Sequence, residues 1–184
     1  MNTLLASPGL HWLAHKQPFS SRLKQAAFNA KHRAGQWGNG ESPELGKCVD
    51  RYTPKGGTVQ ILGCGSADLC GVMDMSKAHR VMGVDMSEVA IIEGCRRYYA
   101  KFENLWLKTA DMRQVIMSYD VSVFPESIYY LSPADQLSLL ESVGAVRIVT
   151  LADPVKHALI VDMIRTHFHI IEEFNINRRL VLVF

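Results

Sequence analysis

From residue 58 onward, apolar runs of strand length alternate with stretches whose apolar positions recur at helical spacing. Residues 58–62 form a β-favouring run of the kind buried on both faces of a parallel sheet. Further strands are predicted at 80–84, 105–109, 119–124 and 146–152. A helix is predicted from about Asp68, with Leu69, Val72 and Met73 inward. Another, capped by Ser87, carries Ile91, Ile92, Cys95, Tyr99 and Phe102. Ser132-Pro133-Ala134-Asp135 has a cap, a first-turn proline and an acid near the positive end of the helix dipole, and Asp153-Pro154 opens the next helix in the same manner. Two closing strands, 168–175 and 178–184, are joined too tightly for a parallel crossover and should pair antiparallel.

The first 57 residues differ, reading as helix and loop. From Ser20, the residues Leu23, Ala26, Ala27, Ala30 and Ala34 recur at helical spacing, with Arg22, Lys24 and Arg33 around them as a solvated basic face. The glycine-rich segment 35–40 must break that helix. Ser42 then caps a second one, with Pro43 in its first turn and Leu45, Cys48, Val49 and Tyr52 on one face. The fold class is therefore α/β: a doubly wound, Rossmann-like, mostly parallel seven-stranded sheet with a terminal antiparallel hairpin and N-terminal helices. Residues 1–57 are expected to form a helical segment on the lid side and 58–184 the cofactor-binding domain.

Composition adds exclusions. At 184 residues, 48% hydrophobic, 21% charged and a net charge of +2, the chain is an ordinary globular protein with no charge argument for nucleic acid or membrane. No apolar run approaches the roughly 18 residues of a membrane span, and the first residues do not read as a signal peptide. Cys48, Cys64, Cys70 and Cys95 lack disulfide-scaffold or CxxC spacing and read as reduced thiols of a cytoplasmic protein. His11 and His15 share one helical face and His167 and His169 one strand face, but neither pair has a third ligand, so no metal is expected.

In such sheets the ligand sits beyond the carboxyl ends of the central strands. Here that place is Gly63-Cys64-Gly65-Ser66-Ala67-Asp68, between the first strand and its helix. Glycines allow a sharp turn and a close ligand, and a helix N-terminus behind them offers free N–H groups. About twenty residues on, Asp85 ends the second strand, where a carboxylate can accept both hydroxyls of a ribose. Asp68 stands where a dinucleotide fingerprint wants Gly or Ala and would face a pyrophosphate, so a nucleoside cofactor without phosphates fits better than NAD.

Residues 59–69 (VQILGCGSADL) resemble the first motif of class I S-adenosylmethionine-dependent methyltransferases. Residues 81–90 resemble the second, Ala110-Asp111-Met112 the acidic turn after strand three, and residues 119–124 the fourth strand. The resemblance implies S-adenosylmethionine as cofactor. It would place Gly63, Cys64 and Gly65 along the methionine end, Asp85 at the ribose, Met86 on the adenine, Asp111 at the exocyclic amine and Met112 in a backbone contact. Two positions depart: Ile61 replaces an acidic residue, and Ala67 a third glycine, costing about 1 kcal/mol if that site needs positive φ.

After strand four, Glu126 is the candidate base or orienting group, and Tyr129 or Tyr130 the pocket wall; the stretch resembles the same segment of some sugar- and amine-modifying methyltransferases, the nodulation N-methyltransferases included. With no long insertion before the final hairpin, any lid must come from the N-terminal segment, with Trp37 its candidate. The expected function is O- or N-methylation of a small-molecule acceptor. The alternatives are a methyltransferase-like binding or partner protein that has lost turnover, and a nicotinamide-dependent oxidoreductase. Oligomeric state leaves no mark in the sequence.

Overall fold

A computed structural model describes residues 21–35, 41–115 and 118–184. Trp37, His11 and His15 lie outside the described residues. Seven strands, β1 (Gly57–Leu62), β2 (Ala78–Asp85), β3 (Leu105–Thr109), β4 (Val121–Pro125), β5 (Val146–Leu151), β6 (Glu172–Ile176) and β7 (Arg179–Val183), form one sheet in the order β3-β2-β1-β4-β5-β7-β6. The first five run parallel, and β7 pairs antiparallel with both β5 and β6. Chain order reverses between β1 and β4, so the turns leaving these two strands diverge and open a crevice.

Alternation along each strand divides the core. Val59 and Ile61 face one side with Val121, Val123 and Ile148, against Leu45, Cys48 and Val49 of α2 (Pro43–Tyr52) and Ile91 of α3 (Glu88–Tyr98). Leu62, Phe124, Val149 and Leu182 face the other, against Leu139 and Leu140 of α4 (Pro133–Ser142) and Ile160 and Ile164 of α5 (Ala158–His167). Ser42, Ser87 and Ser132 cap α2, α3 and α4 through their side chains.

Several expectations are corrected, among them the closing strand β6, which begins at Glu172 rather than 168, and His167, which ends α5 and so shares no strand face with His169. The segment after β1 forms no α-helix but two short 3₁₀ turns, Asp68–Gly71 and Met75–Lys77. Asp74 accepts from both the backbone and the hydroxyl of Ser76, a local pairing that competes with helix continuation. Gly71 interrupts the run where a Cβ would crowd the Tyr98 ring. Ile92 and Tyr99 are exposed rather than inward; Tyr99 turns its hydroxyl to the edge strand, accepting from the Leu107 N–H. The last helix begins at Ala158, not at Asp153, whose side chain instead accepts from the Lys156 N–H in the preceding turn.

Helix α1 (Ser21–Arg33) is joined to the start of α3 through Asn29. The Asn29 Oδ1 accepts from the Ser87 hydroxyl (2.9 Å) and the Val89 N–H (3.3 Å), so α1 also helps cap the start of α3. Replacing Asn29 by Ala removes both acceptors, worth about 1 kcal/mol each. Amide hydrogen exchange in residues 21–33 should then quicken, with the sheet unaffected; unchanged exchange would show that α1 is held by other contacts.

Candidate functional site

The turn leaving β1 is built by backbone geometry. Gly63 and Gly65 have φ of +79° and +54°, and Ala67 adopts +61° while fully buried. The glycine-type conformation foreseen at Ala67 is therefore real, and its strain is borne by an alanine. The N–H groups of Gly63 and Cys64 both reach the Val84 carbonyl, at 2.7 and 2.9 Å, binding the turn to the end of β2. A Cβ at Gly63 would overlap that of Ser127, whose hydroxyl donates to the Leu62 carbonyl. At Gly65 the same atom would meet nothing nearer than His32 Cε1, 3.7 Å away. The Gly63 position is closed by protein, and that of Gly65 faces open space.

That space is a cavity of about 310 Å³, near the lower bound of small-molecule sites at roughly 300 Å³. Gly63, Cys64, Gly65, Asp85, Met86, Asp111, Met112, Glu126 and Tyr129 all line it. Cys64 is buried and packs on Gly83, and burial pushes its thiol well above the usual range. With a four-residue 3₁₀ turn behind the loop, no long helix dipole adds to the free N–H groups.

Asp85 accepts from the Gly65 N–H at 2.8 Å through one oxygen and from the Ser87 N–H at 2.7 Å through the other. Burial pushes its carboxyl upward, against these two donors. The Met86 N–H also approaches the carboxylate, which of its four lone pairs keeps at least one for a ligand while it holds the loop. Asp68 pairs with Arg97 at 2.9 Å and accepts from the Ser66 hydroxyl, which tempers its repulsion toward a phosphate. For Asp111 burial acts upward but is outweighed by its hydrogen bonds to Arg113, which hold the carboxyl low; Arg113 also reaches Asp135.

Two groups of residues escaped the sequence. Lys24, Phe28 and His32, at i, i+4 and i+8 on α1, line the cavity, so the helix read as a solvated basic face turns one stripe inward. The i+4 recurrence of Phe28 and His32 was the available signal. Glu41 and Arg179 also line the cavity. Arg179 pairs with Glu41 at 2.9 Å and with Glu126 at 2.5 Å. These positions converge from three distant segments, and no local pattern announces them.

Tyr129 stacks on His157 with ring centroids 4.4 Å apart, and touches Tyr130, which meets Phe28 edge-on. Burial pushes the Tyr129 phenol up to about 12, so at neutral pH it can donate a hydrogen bond but not take up a proton.

No protein-family model matches the chain, and no curated protein matches it in sequence. Solved structures do. A magnesium protoporphyrin IX methyltransferase from Synechocystis with bound S-adenosylmethionine is 17% identical over 91% of this chain and 97% of that one, with a TM-score of 0.70. The N-methyltransferase NodS of Bradyrhizobium japonicum is 15% identical over 77% and 93%, at 0.58. A ribosomal protein methylase from Lactobacillus delbrueckii subsp. bulgaricus is 17% identical over 77% and 74%, at 0.60. The fold is that of these methyltransferases. Their acceptors, by name, range from a tetrapyrrole to a protein. Among the described residues no helix is long and apolar enough to cross a membrane.

Two outcomes follow from this geometry. Gly63→Ala and Gly65→Ala should each cost about 1–2 kcal/mol of left-handed strain, and Gly63→Ala a further 1–3 kcal/mol from overlap with Ser127. Urea unfolding that ranked Gly65→Ala as the costlier change would contradict the placement of the loop. Burial holds the His32 imidazole below its ordinary value, with Asp85, Glu93 and Asp68 opposing. The unfolded chain therefore gains a proton there before the folded one does, and stability falls as pH drops below about 6.5. His32→Gln should lose less melting temperature than the natural chain between pH 7 and 5; an equal loss would show that His32 is not held neutral.

Proposed function

We propose that the chain is an S-adenosylmethionine-dependent methyltransferase acting on a small acceptor. The observation that carries this reading is the single cavity wall formed by the Gly63–Gly65 turn, Asp85, Met86, Asp111 and Met112. The residues fit the cofactor. Open space lies beside Gly65, a buried carboxylate with spare lone pairs suits two ribose hydroxyls, and two methionines suit a purine face. Asp111, held ionised by Arg113, suits an exocyclic amine.

When bound, S-adenosylmethionine supplies an electrophilic methyl on a sulfonium, displaced directly by the acceptor while the electron pair of the breaking C–S bond stays on sulfur. The chain's part is alignment and exclusion of water. Lys24, Phe28 and His32 of α1 roof the site, which makes residues 21–33 a lid in addition to whatever Trp37 contributes. Tyr129 and Tyr130 wall the acceptor side, and Glu126, held by Arg179, receives or orients the acceptor's proton. A cavity of about 310 Å³ has the size of a single small-molecule site, which the cofactor itself would fill; a broad acceptor panel tests the small-acceptor part of the reading.

A second reading, a binding protein without turnover, has two observations behind it. Ile61 is fully buried in the core, so the acid usual at that position is missing, and Ala67 carries left-handed strain. Calorimetric titration separates the readings from a nicotinamide site. S-adenosylmethionine and S-adenosylhomocysteine should bind well below about millimolar and NAD should not; the opposite ranking would sink the proposal. Asp85→Asn should weaken S-adenosylhomocysteine by about tenfold or more, one charge-assisted hydrogen bond, and an unchanged affinity would remove Asp85 from the site. Methyl transfer to any acceptor of a broad panel decides against the binding-only reading.

A further inference from the structure

At the acceptor end of the cavity one guanidinium is shared between two carboxylates. Arg179 donates from Nη1 to Glu41 at 2.9 Å, while its Nε lies 2.5 Å from Glu126 Oε1 as an ion pair without hydrogen-bond geometry, and the side chains of all three are less than a third exposed. The cluster carries two negative charges against one positive, so a net negative charge faces a partly desolvated space. Each carboxylate keeps lone pairs for another donor, and the buried Glu126 Oε1 has no hydrogen-bond partner among the described residues. Burial pushes the Glu41 carboxyl upward, Arg179 opposes this, and Glu126 and Asp68 add to it: the charge is under-compensated. Independently, Tyr129 and Tyr130 line the same cavity with their rings 4.6 Å apart, and aromatic faces attract cations.

We infer that Glu41, Arg179 and Glu126, beside the tyrosine wall, form a subsite for an ammonium group. This rests on the methyltransferase reading for its two possible sources: the α-ammonium of the cofactor, in place of the acid missing at Ile61, or the amine of the acceptor.

Calorimetry on the full chain distinguishes the sources. S-adenosylhomocysteine and 5′-methylthioadenosine share nucleoside and sulfur, but only the first bears an ammonium. If the cofactor's ammonium is held, Glu41→Gln or Glu126→Gln lowers affinity for S-adenosylhomocysteine by about tenfold or more and leaves methylthioadenosine unchanged. If the acceptor's amine is held, protein saturated with S-adenosylhomocysteine binds benzylamine at least about tenfold more tightly than benzyl alcohol or benzoate, and the variants lose that preference. The inference is overturned if the nucleoside ratio is unchanged in both variants and benzylamine has no advantage, or if benzoate binds best. Should the variants fail to fold, the benzylamine and benzoate comparison on the natural chain without nucleoside, where the subsite is open under either source, decides. Should neither nucleoside bind, the cofactor reading fails by itself, and the same comparison on free protein still decides the ammonium subsite.

Discussion

A carboxylate buried at the carboxyl end of β2 ties together two turns that would otherwise be independent. One oxygen of Asp85 receives the Gly65 N–H and the other the Ser87 N–H. The first bond fixes the glycine turn after β1, and the second fixes the start of α3. From α3 the constraint passes to α1, because the Ser87 hydroxyl donates to Asn29. Floor, back wall and roof of the cavity thus share one anchor. A desolvated acid is costly unless its oxygens are satisfied, and the residual demand of Asp85 is a physical reason for a polar ligand to settle there.

The opposite end of the cavity is organised by the same logic with the charges reversed in number. Arg179 enters from the first residue of β7, which reaches the crevice only because β7 runs antiparallel to β5. It meets Glu126 from the turn after β4 and Glu41 from just before α2. Sheet topology, rather than any local motif, brings these groups together. Between the two ends, the Gly63 turn is pressed against Ser127 closely enough to exclude any side chain.

Much of this was legible in the residues, for stated reasons. Parallel strands buried on both faces are short apolar runs, so β1, β3 and β5 were visible within a residue or two, and the tight connection between the last two strands betrayed the antiparallel hairpin. Serine caps followed by a proline located α2 and α4 because capping is a local interaction. The missing helix after β1 was not legible: Leu69, Val72 and Met73 have helical spacing, but Asp74 bonds locally to Ser76 and Gly71 packs against Tyr98. The inward stripe of α1 was hidden by its arginines and lysines, since a polar cavity accepts Lys24 and His32 as readily as water does. Glu41 and Arg179 were illegible for a different reason, because their meeting depends on the order of strands.

On the proposed function, the cavity is shaped for an adenosine bearing a sulfur amino acid and no phosphate. A crystal structure of the chain with S-adenosylhomocysteine tests it most directly. The ribose hydroxyls are expected on Asp85, the adenine between Met86 and Met112, and the sulfur turned toward Glu126 and Tyr129. A nucleoside bound elsewhere, or one whose ribose leaves Asp85 untouched, would contradict it.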